Sequence, residues 1–82
     1  MLLSKYMIKK IQTGKYRHYK GREYEVLGLA HHSETLEPLV VYKALYDSDE
    51  FGANAIWVRP LVMFTEIVEV NNKQVPRFEY IK

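Results

Sequence analysis

Three side chains in this sequence have the types that acid–base chemistry uses. His18 carries an imidazole, Glu34 a carboxylate, and Arg59 a guanidinium that can hold an anion through two hydrogen bonds. No serine or lysine lies in a nucleophile motif, and the sequence has no glycine-rich phosphate loop. A small enzyme acting on an anionic metabolite is therefore one alternative, and a structural ion pair between Glu34 and Arg59 is another. The sequence assigns no catalytic residue.

The histidines also invite comparison with a metal site. His31 and His32 are adjacent on a predicted strand, where neighbouring side chains face opposite sides of the sheet. His32, Glu34 and His18 could converge on one ion, but three mixed ligands of unknown proximity are weak evidence. The chain has no cysteine, which excludes thiolate zinc sites. We therefore predict no metal and no cofactor.

Trp57 and Arg59 alternate with apolar neighbours in a predicted strand. If Ile56 and Val58 face the core, the indole and the guanidinium share the opposite face, outside the core. An exposed indole beside a guanidinium is typical of a binding anchor. A tryptophan is usually mostly buried, however, and Tyr42 or the C-terminal residues could cover it. Both interpretations stay open at this point.

Short β-strands must position these residues. The alternation of apolar and polar residues predicts strands over residues 15–20, 23–32, 39–46, 56–59 and 66–70, and an edge strand within 75–81. Turns are predicted at Lys20–Gly21 and Asn71–Asn72, a bend at Gly28, and one helical turn over Leu61–Thr65. Five strands with one helical turn favour a mainly β fold, an SH3-like barrel. The alternative is an α+β roll with a helix before Gly14.

The length of 82 residues allows one domain. We expect residues 1–13 to be an N-terminal extension, where the spacing of apolar side chains suits a short helix, and residues 14–82 to be the domain itself. No apolar run has the length of a secretory signal or a membrane span. These observations predict a cytoplasmic protein that does not act on membranes.

The charges are unevenly distributed along the chain. Residues 1–22 contain seven basic residues and no acidic one, whereas the remainder contains five basic and ten acidic residues, giving a net charge of +2. The basic segment could bind an anionic partner, or the two segments could simply attract each other in the fold. Because tyrosines are interleaved with these charges, a nucleic-acid-binding accessory protein is a further alternative. The acidic remainder argues against it.

Several motifs in the chain resemble one bacterial family. They are Gly14-Lys15-Tyr16-Arg17-His18-Tyr19-Lys20-Gly21, Tyr24-Glu25-Val26, His32-Ser33-Glu34-Thr35, Val41-Tyr42, Trp57-Val58-Arg59-Pro60 with Phe64, and Arg77-Phe78. Their order and spacing from Gly14 to about Glu79 are similar to those of the domain of unknown function 1653 family. The resemblance implies an SH3-type barrel in a small bacterial protein. It implies no activity.

Taken together, the absence of catalytic motifs favours a non-catalytic binding module. We expect it to present His18, Glu34, Thr35, Trp57 and Arg59 to an unidentified protein, peptide or small ligand. Nucleic acid is a possible partner through the basic N-terminal segment.

Overall fold

The fold consists of one antiparallel sheet of five strands and two small hairpins, in a computed structural model that describes residues 11–82. The strands are β1 (Gly14–His18), β2 (Glu23–His31), β3 (Pro38–Ala44), β4 (Asp47–Ser48), β5 (Gly52–Ala53), β6 (Ile56–Pro60), β7 (Ile67–Val70), β8 (Lys73–Pro76) and β9 (Phe78–Tyr80), with helix α1 (Leu61–Phe64) between β6 and β7. The large sheet has the order β6-β3-β2-β1-β9, while β4 pairs with β5 and β7 with β8.

The mainly β prediction is confirmed, because strands make up 57% of the described residues and helix almost none. The SH3-like barrel is not confirmed: the strands form open sheets, and β6 and β9 are two separate edges of the large sheet. The two-residue hairpin of β4 and β5 was not predicted. The helix proposed for the first dozen residues, and with it the α+β roll, falls mainly on residues 1–10, which lie outside the described residues.

The predicted bend in the second strand is a β-bulge. Val26 pairs with Tyr42 and Gly28 with Val41, so Leu27 is an extra residue on β2 without a counterpart on β3. A bulge of this kind bends a strand and increases its twist. The bulge helps to curve the large sheet, so that its inner face becomes concave.

Helix α1 closes one side of that concave face. Pro60 precedes its first residue, and Leu61 and Phe64, three positions apart, are both buried. The hydroxyl and the backbone N–H of Thr65 both donate to the carbonyl of Leu61, which ends the helix after one turn. The predicted helical turn is therefore confirmed, and its role is to place two apolar side chains over the sheet.

The core on the inner face is largely aromatic. Its buried residues are Tyr16, Val26, Val40, Tyr42, Ala44, Leu61, Phe64 and Phe78. Phe78 stacks on Phe64 with ring centroids 4.1 Å apart, and it meets Tyr42 and Tyr24 edge to face. Aromatic rings supply much buried area per residue, which suits a small domain that has no disulfide.

The start of β1 fits closely against the C-terminal residues. Gly14 has a φ of 129°, and a Cβ at this position would lie 2.7 Å from the carbonyl oxygen of Lys82. That oxygen accepts a hydrogen bond from the N–H of Lys15. Only glycine satisfies both the backbone angle and the space here. Just before it, Ile11 packs against the core and the carbonyl of Gln12 accepts a hydrogen bond from the Tyr16 hydroxyl.

Cross-strand ion pairs join the basic and acidic parts of the chain. Lys15 and Arg17 on β1 lie 3.2 and 3.0 Å from the carboxylate oxygens of Glu23 on β2. Hydrogen bonds from Arg17 and Lys15 lower the pKa of Glu23. This pairing supports the interpretation that the charge asymmetry serves the fold.

Candidate functional site

The two faces of β6 point the opposite way from the arrangement that would expose Trp57. Ile56 and Val58 face outward and are 56% and 57% exposed, whereas Trp57 and Arg59 lie on the concave, core-facing side and are half-buried. The prediction that Trp57 and Arg59 share a face is confirmed. The supposition that Ile56 and Val58 fill the core is wrong, because the core accepts the larger rings instead.

Trp57 is part of the edge of the core. It pairs across the strands with Tyr42, packs against the core cluster, and meets the exposed ring of Phe51 edge to face at 4.9 Å. Phe51 belongs to the turn between β4 and β5, the hairpin that the sequence did not predict. The indole is thus flanked by protein and only partly available to a ligand.

Arg59 is held on the concave face by two aromatic residues. Its Nε–H donates to the Tyr42 hydroxyl at 3.2 Å, and its guanidinium carbon lies 5.5 Å from the centre of the Phe78 ring. Phe78 belongs to β9, the edge opposite to β6 in the strand order. The sheet therefore curls far enough for side chains of its two edge strands to meet.

His18 adjoins the same phenylalanine ring. It pairs with Phe78 across β1 and β9, and the two rings are edge to face at 4.9 Å. Its Nδ1 accepts a hydrogen bond from the N–H of Lys20 at 3.1 Å, which fixes the ring orientation. Burial, and then the positive charges of Arg59, Arg77 and Lys20, lower the pKa of His18. The imidazole is therefore neutral at neutral pH.

Arg77, which directly precedes Phe78, is a further basic group near His18, whose pKa its charge helps to lower. Its Nη2 lies 2.7 Å from a carboxylate oxygen of Glu66, and its Nε is buried with no hydrogen-bond partner among residues 11–82. We call His18, Arg59 and Arg77, with the rings of Tyr42 and Phe78, the Arg59 cluster. It holds two guanidinium groups and one imidazole, and Glu66 is bonded to only one of them.

Arg59 differs from the other described arginines in the groups that surround its guanidinium. In the described part of the chain, Arg17 and Arg77 are paired with carboxylates, and Arg22 lies in the open with its guanidinium 4.1 Å from the centre of the Tyr46 ring. Arg59 is half-buried, yet its only hydrogen bond to the described residues is the one to Tyr42. Buried charges are usually paired, so a half-buried guanidinium without a carboxylate can accept an anionic group from outside.

Glu34 and Thr35 lie apart from His18. His18 precedes the start of β2 and the two loop residues follow its end, so roughly 25 Å of strand separates them. In the loop from His32 to Glu37, the Nδ1 of His32 accepts from the N–H groups of Glu34 and Thr35. The Thr35 hydroxyl accepts from the N–H of Glu37. These bonds shape the loop, which we call the polar loop.

The described residues do not show the geometry that two of the alternatives from the sequence require. Between residues 11 and 82, Glu34 forms no ion pair with Arg59, so the structural clamp is not seen. The same residues contain no group of three His, Asp or Glu side chains that could hold a metal ion. Nor does this part of the chain contain a helix long and apolar enough to cross a membrane.

Sequence reasoning did not select Phe78, Tyr42 or Arg77 as site residues. Their role depends on β9 pairing with β1 and on the curl of the sheet, and neither is visible in local alternation. The available signal was the motif Arg77-Phe78. It interrupts the alternation of the last predicted strand, because it places a cation next to an aromatic ring.

Comparison with known proteins identifies a family and a solved structure whose descriptions state no activity. The family described as "Protein of unknown function (DUF1653)" matches residues 14–80. A crystal structure of a DUF1653 protein from Bordetella bronchiseptica is 38% identical, with a TM-score of 0.81 over 90% of this chain and 91% of the other. No curated protein matches the chain.

Proposed function

The chain belongs to the DUF1653 family, whose description states no activity, and we propose that it is a non-catalytic binding module that holds an acidic group of its ligand at Arg59. The ligand is a protein, a peptide or a small molecule with a carboxylate or a phosphate. We also propose that it acts in the bacterial cytoplasm.

One observation carries this proposal: Arg59 is half-buried and oriented by the protein, but no carboxylate among the described residues neutralises it. Tyr42 fixes the Nε side of the guanidinium, which leaves its two terminal nitrogens for a bidentate contact. A guanidinium that is already oriented loses little conformational entropy when an anion binds.

The neighbouring residues supply the rest of the site. Phe78 provides an apolar floor beneath the guanidinium, and His18 adds the Nε2 position of a neutral imidazole. Trp57 lies on the same face of β6 and offers the edge of its ring to an apolar part of the ligand. Glu34 and Thr35 are left outside this site, because their known contacts lie within the polar loop.

The proposal is tested by NMR titration of the protein with two acidic probes, inorganic phosphate and a short peptide that ends in a free carboxylate. We expect saturable shifts of the Arg59 Nε–H and the His18 ring signals. The pKa of His18 should rise when a probe binds, because the bound anion offsets the positive charges that lower it.

Two variants that each remove one positive charge distinguish binding at Arg59 from general electrostatic attraction. Arg59→Gln should weaken binding of the better probe by about tenfold or more, the effect of losing a charge-assisted hydrogen bond. Arg22→Gln removes the same charge from an exposed arginine that also lacks a carboxylate partner in the described residues, and it should leave binding nearly unchanged. Equal effects of the two variants, or no shift at Arg59 with either probe, would refute the proposal.

A further inference from the structure

A cavity lies between the end of β1 and the β7–β8 hairpin, and Arg59 is not among the residues that line it. Its volume is about 460 Å³, within the range of small-ligand pockets. Asn71 and Asn72 form the hairpin turn with positive φ angles of 53° and 64°, which is the backbone that a tight two-residue turn needs. This turn lets β8 pair antiparallel with β7. We call the cavity the hairpin pocket.

The lining of the hairpin pocket is partly aromatic and partly aliphatic. On the β1 side, the rings of His18 and Tyr19 lie 4.6 Å apart at an angle of 30°, and Tyr19 is 38% exposed. On the hairpin side, Val70, Val75 and Pro76 supply an apolar surface. A pocket with an aromatic wall and an aliphatic wall suits a flat ring.

The rim of the hairpin pocket carries charges of both signs. Lys73 has no carboxylate within ion-pair distance among residues 11–82, and Arg17 already holds Glu23. Glu79 is also without an ion-pair partner in that range. The ammonium group of Lys73 can bind a phosphate, and the Glu79 carboxylate can accept a hydrogen bond from a hydroxyl or amino group.

From these walls and charges we infer that the hairpin pocket binds a nucleotide, with the base on the Tyr19 side, the phosphate at Lys73 and a sugar hydroxyl or base amino group at Glu79. The same chemistry is offered by a free nucleoside monophosphate and by one nucleotide of a single strand. The hairpin pocket shares the His18 ring with the Arg59 cluster but does not include Arg59.

The test is an NMR titration of the full chain with adenosine monophosphate, adenosine, inorganic phosphate and a short single-stranded oligoadenylate. We expect adenosine monophosphate to shift the signals of Tyr19 and Val75 saturably. At these two signals, adenosine and phosphate, each lacking one half of the recognised chemistry, should bind about tenfold or more weakly than adenosine monophosphate. An oligoadenylate that binds more tightly than the monophosphate would identify a strand as the source, and one that binds no more tightly would identify the free nucleotide.

Variants locate the binding within the hairpin pocket. Tyr19→Ala and Lys73→Ala should each weaken binding of adenosine monophosphate by about tenfold, whereas Tyr19→Phe should keep it because the ring remains. Lys43→Ala removes the same charge at a cross-strand pair with Glu25 and serves as the control. Both pocket side chains are exposed, so a thermal melt should show that the variants fold.

The outcomes also separate this inference from the function proposed at Arg59. Arg59→Gln should leave the shifts that adenosine monophosphate causes at Tyr19 and Val75 unchanged, because Arg59 does not line the hairpin pocket. If no probe shifts Tyr19 at millimolar concentration, or if Lys43→Ala weakens binding as much as Lys73→Ala, the nucleotide site is refuted, and the anion site at Arg59 is not affected by that result.

Discussion

The Arg59 cluster and the polar loop both contain several polar groups, but the hydrogen bonding of these groups differs. In the polar loop, the His32 ring and the Thr35 hydroxyl accept hydrogen bonds from N–H groups only two or three residues away. In the Arg59 cluster, polar groups from β1, β3, β6 and the residue just before β9 lie near the Phe78 ring, and hydrogen-bonding positions remain unused.

This difference shows which kind of polar cluster points to function. Local hydrogen bonds within a loop replace those that water would make, and they stabilise the turn without further partners. Polar groups that distant strands bring beside apolar rings lose water without full compensation. The second arrangement leaves hydrogen-bonding positions that a further partner can satisfy, and for that reason we propose the site at Arg59.

The largest expected effect comes from removing the ring on which the Arg59 cluster rests. Phe78→Ala should lower the free energy of unfolding by about 3–5 kcal/mol, since the ring is buried and stacks on Phe64. Urea denaturation followed by circular dichroism measures the change. If the alanine variant does not fold, Phe78→Leu should show a smaller loss in the same direction. Phe51→Ala, at an exposed ring, is the control and should cost far less.

The next effect tests whether the two regions are coupled. Arg59→Ala should cost about 1–2 kcal/mol because the Tyr42 hydroxyl loses its donor, and Glu34→Ala should stay within about 0.5 kcal/mol as an exposed change. The losses should add in the double variant to within about 0.5 kcal/mol. Denaturant melts of the three variants measure this. Coupling above roughly 2 kcal/mol would mean that Glu34 and Arg59 form a structural ion pair after all.

The smallest effect concerns pH and His18. Because the pKa of His18 is lowered in the folded protein from its ordinary 6.5, the unfolded chain binds more protons in the interval below 6.5. The contribution of His18 to stability is therefore complete above this interval and is lost as the pH falls through it. His18→Gln should reduce the drop in melting temperature between neutral and mildly acidic pH. His31→Gln, at an exposed histidine, controls for the loss of a histidine as such; an equal reduction there would contradict the assignment.

Much of the fold was predictable because its signals are local. Gly21, Pro38, Pro60 and the asparagines at 71 and 72 mark strand and turn boundaries through their own backbone preferences. The bend at Gly28, which the structure forms as a bulge, and the helical turn at Leu61 were also predictable. Even the shared face of Trp57 and Arg59 follows from the alternation of a strand.

The remainder depends on which strands meet, and a single sequence does not contain that information. Alternation shows that two faces of β6 differ but not which one is inner, and here the apolar Ile56 and Val58 are outside while an arginine is inside. The pairing of β1 with β9 brings Phe78 to His18 over a separation of 60 residues. The site residues that were missed are those that only this long-range pairing assembles.

The open edge of β6 has a consequence for handling the protein in concentrated solution. Along this edge, no strand among the described residues covers the backbone N–H and C=O groups, and the outward Ile56 and Val58 lie beside it. Such an edge is a template for aggregation, which short length and a terminal proline limit. β6 has only five residues and ends at Pro60. Partial unfolding that lengthened this strand would therefore promote β-aggregation, and a lysine in place of Val58 would suppress it.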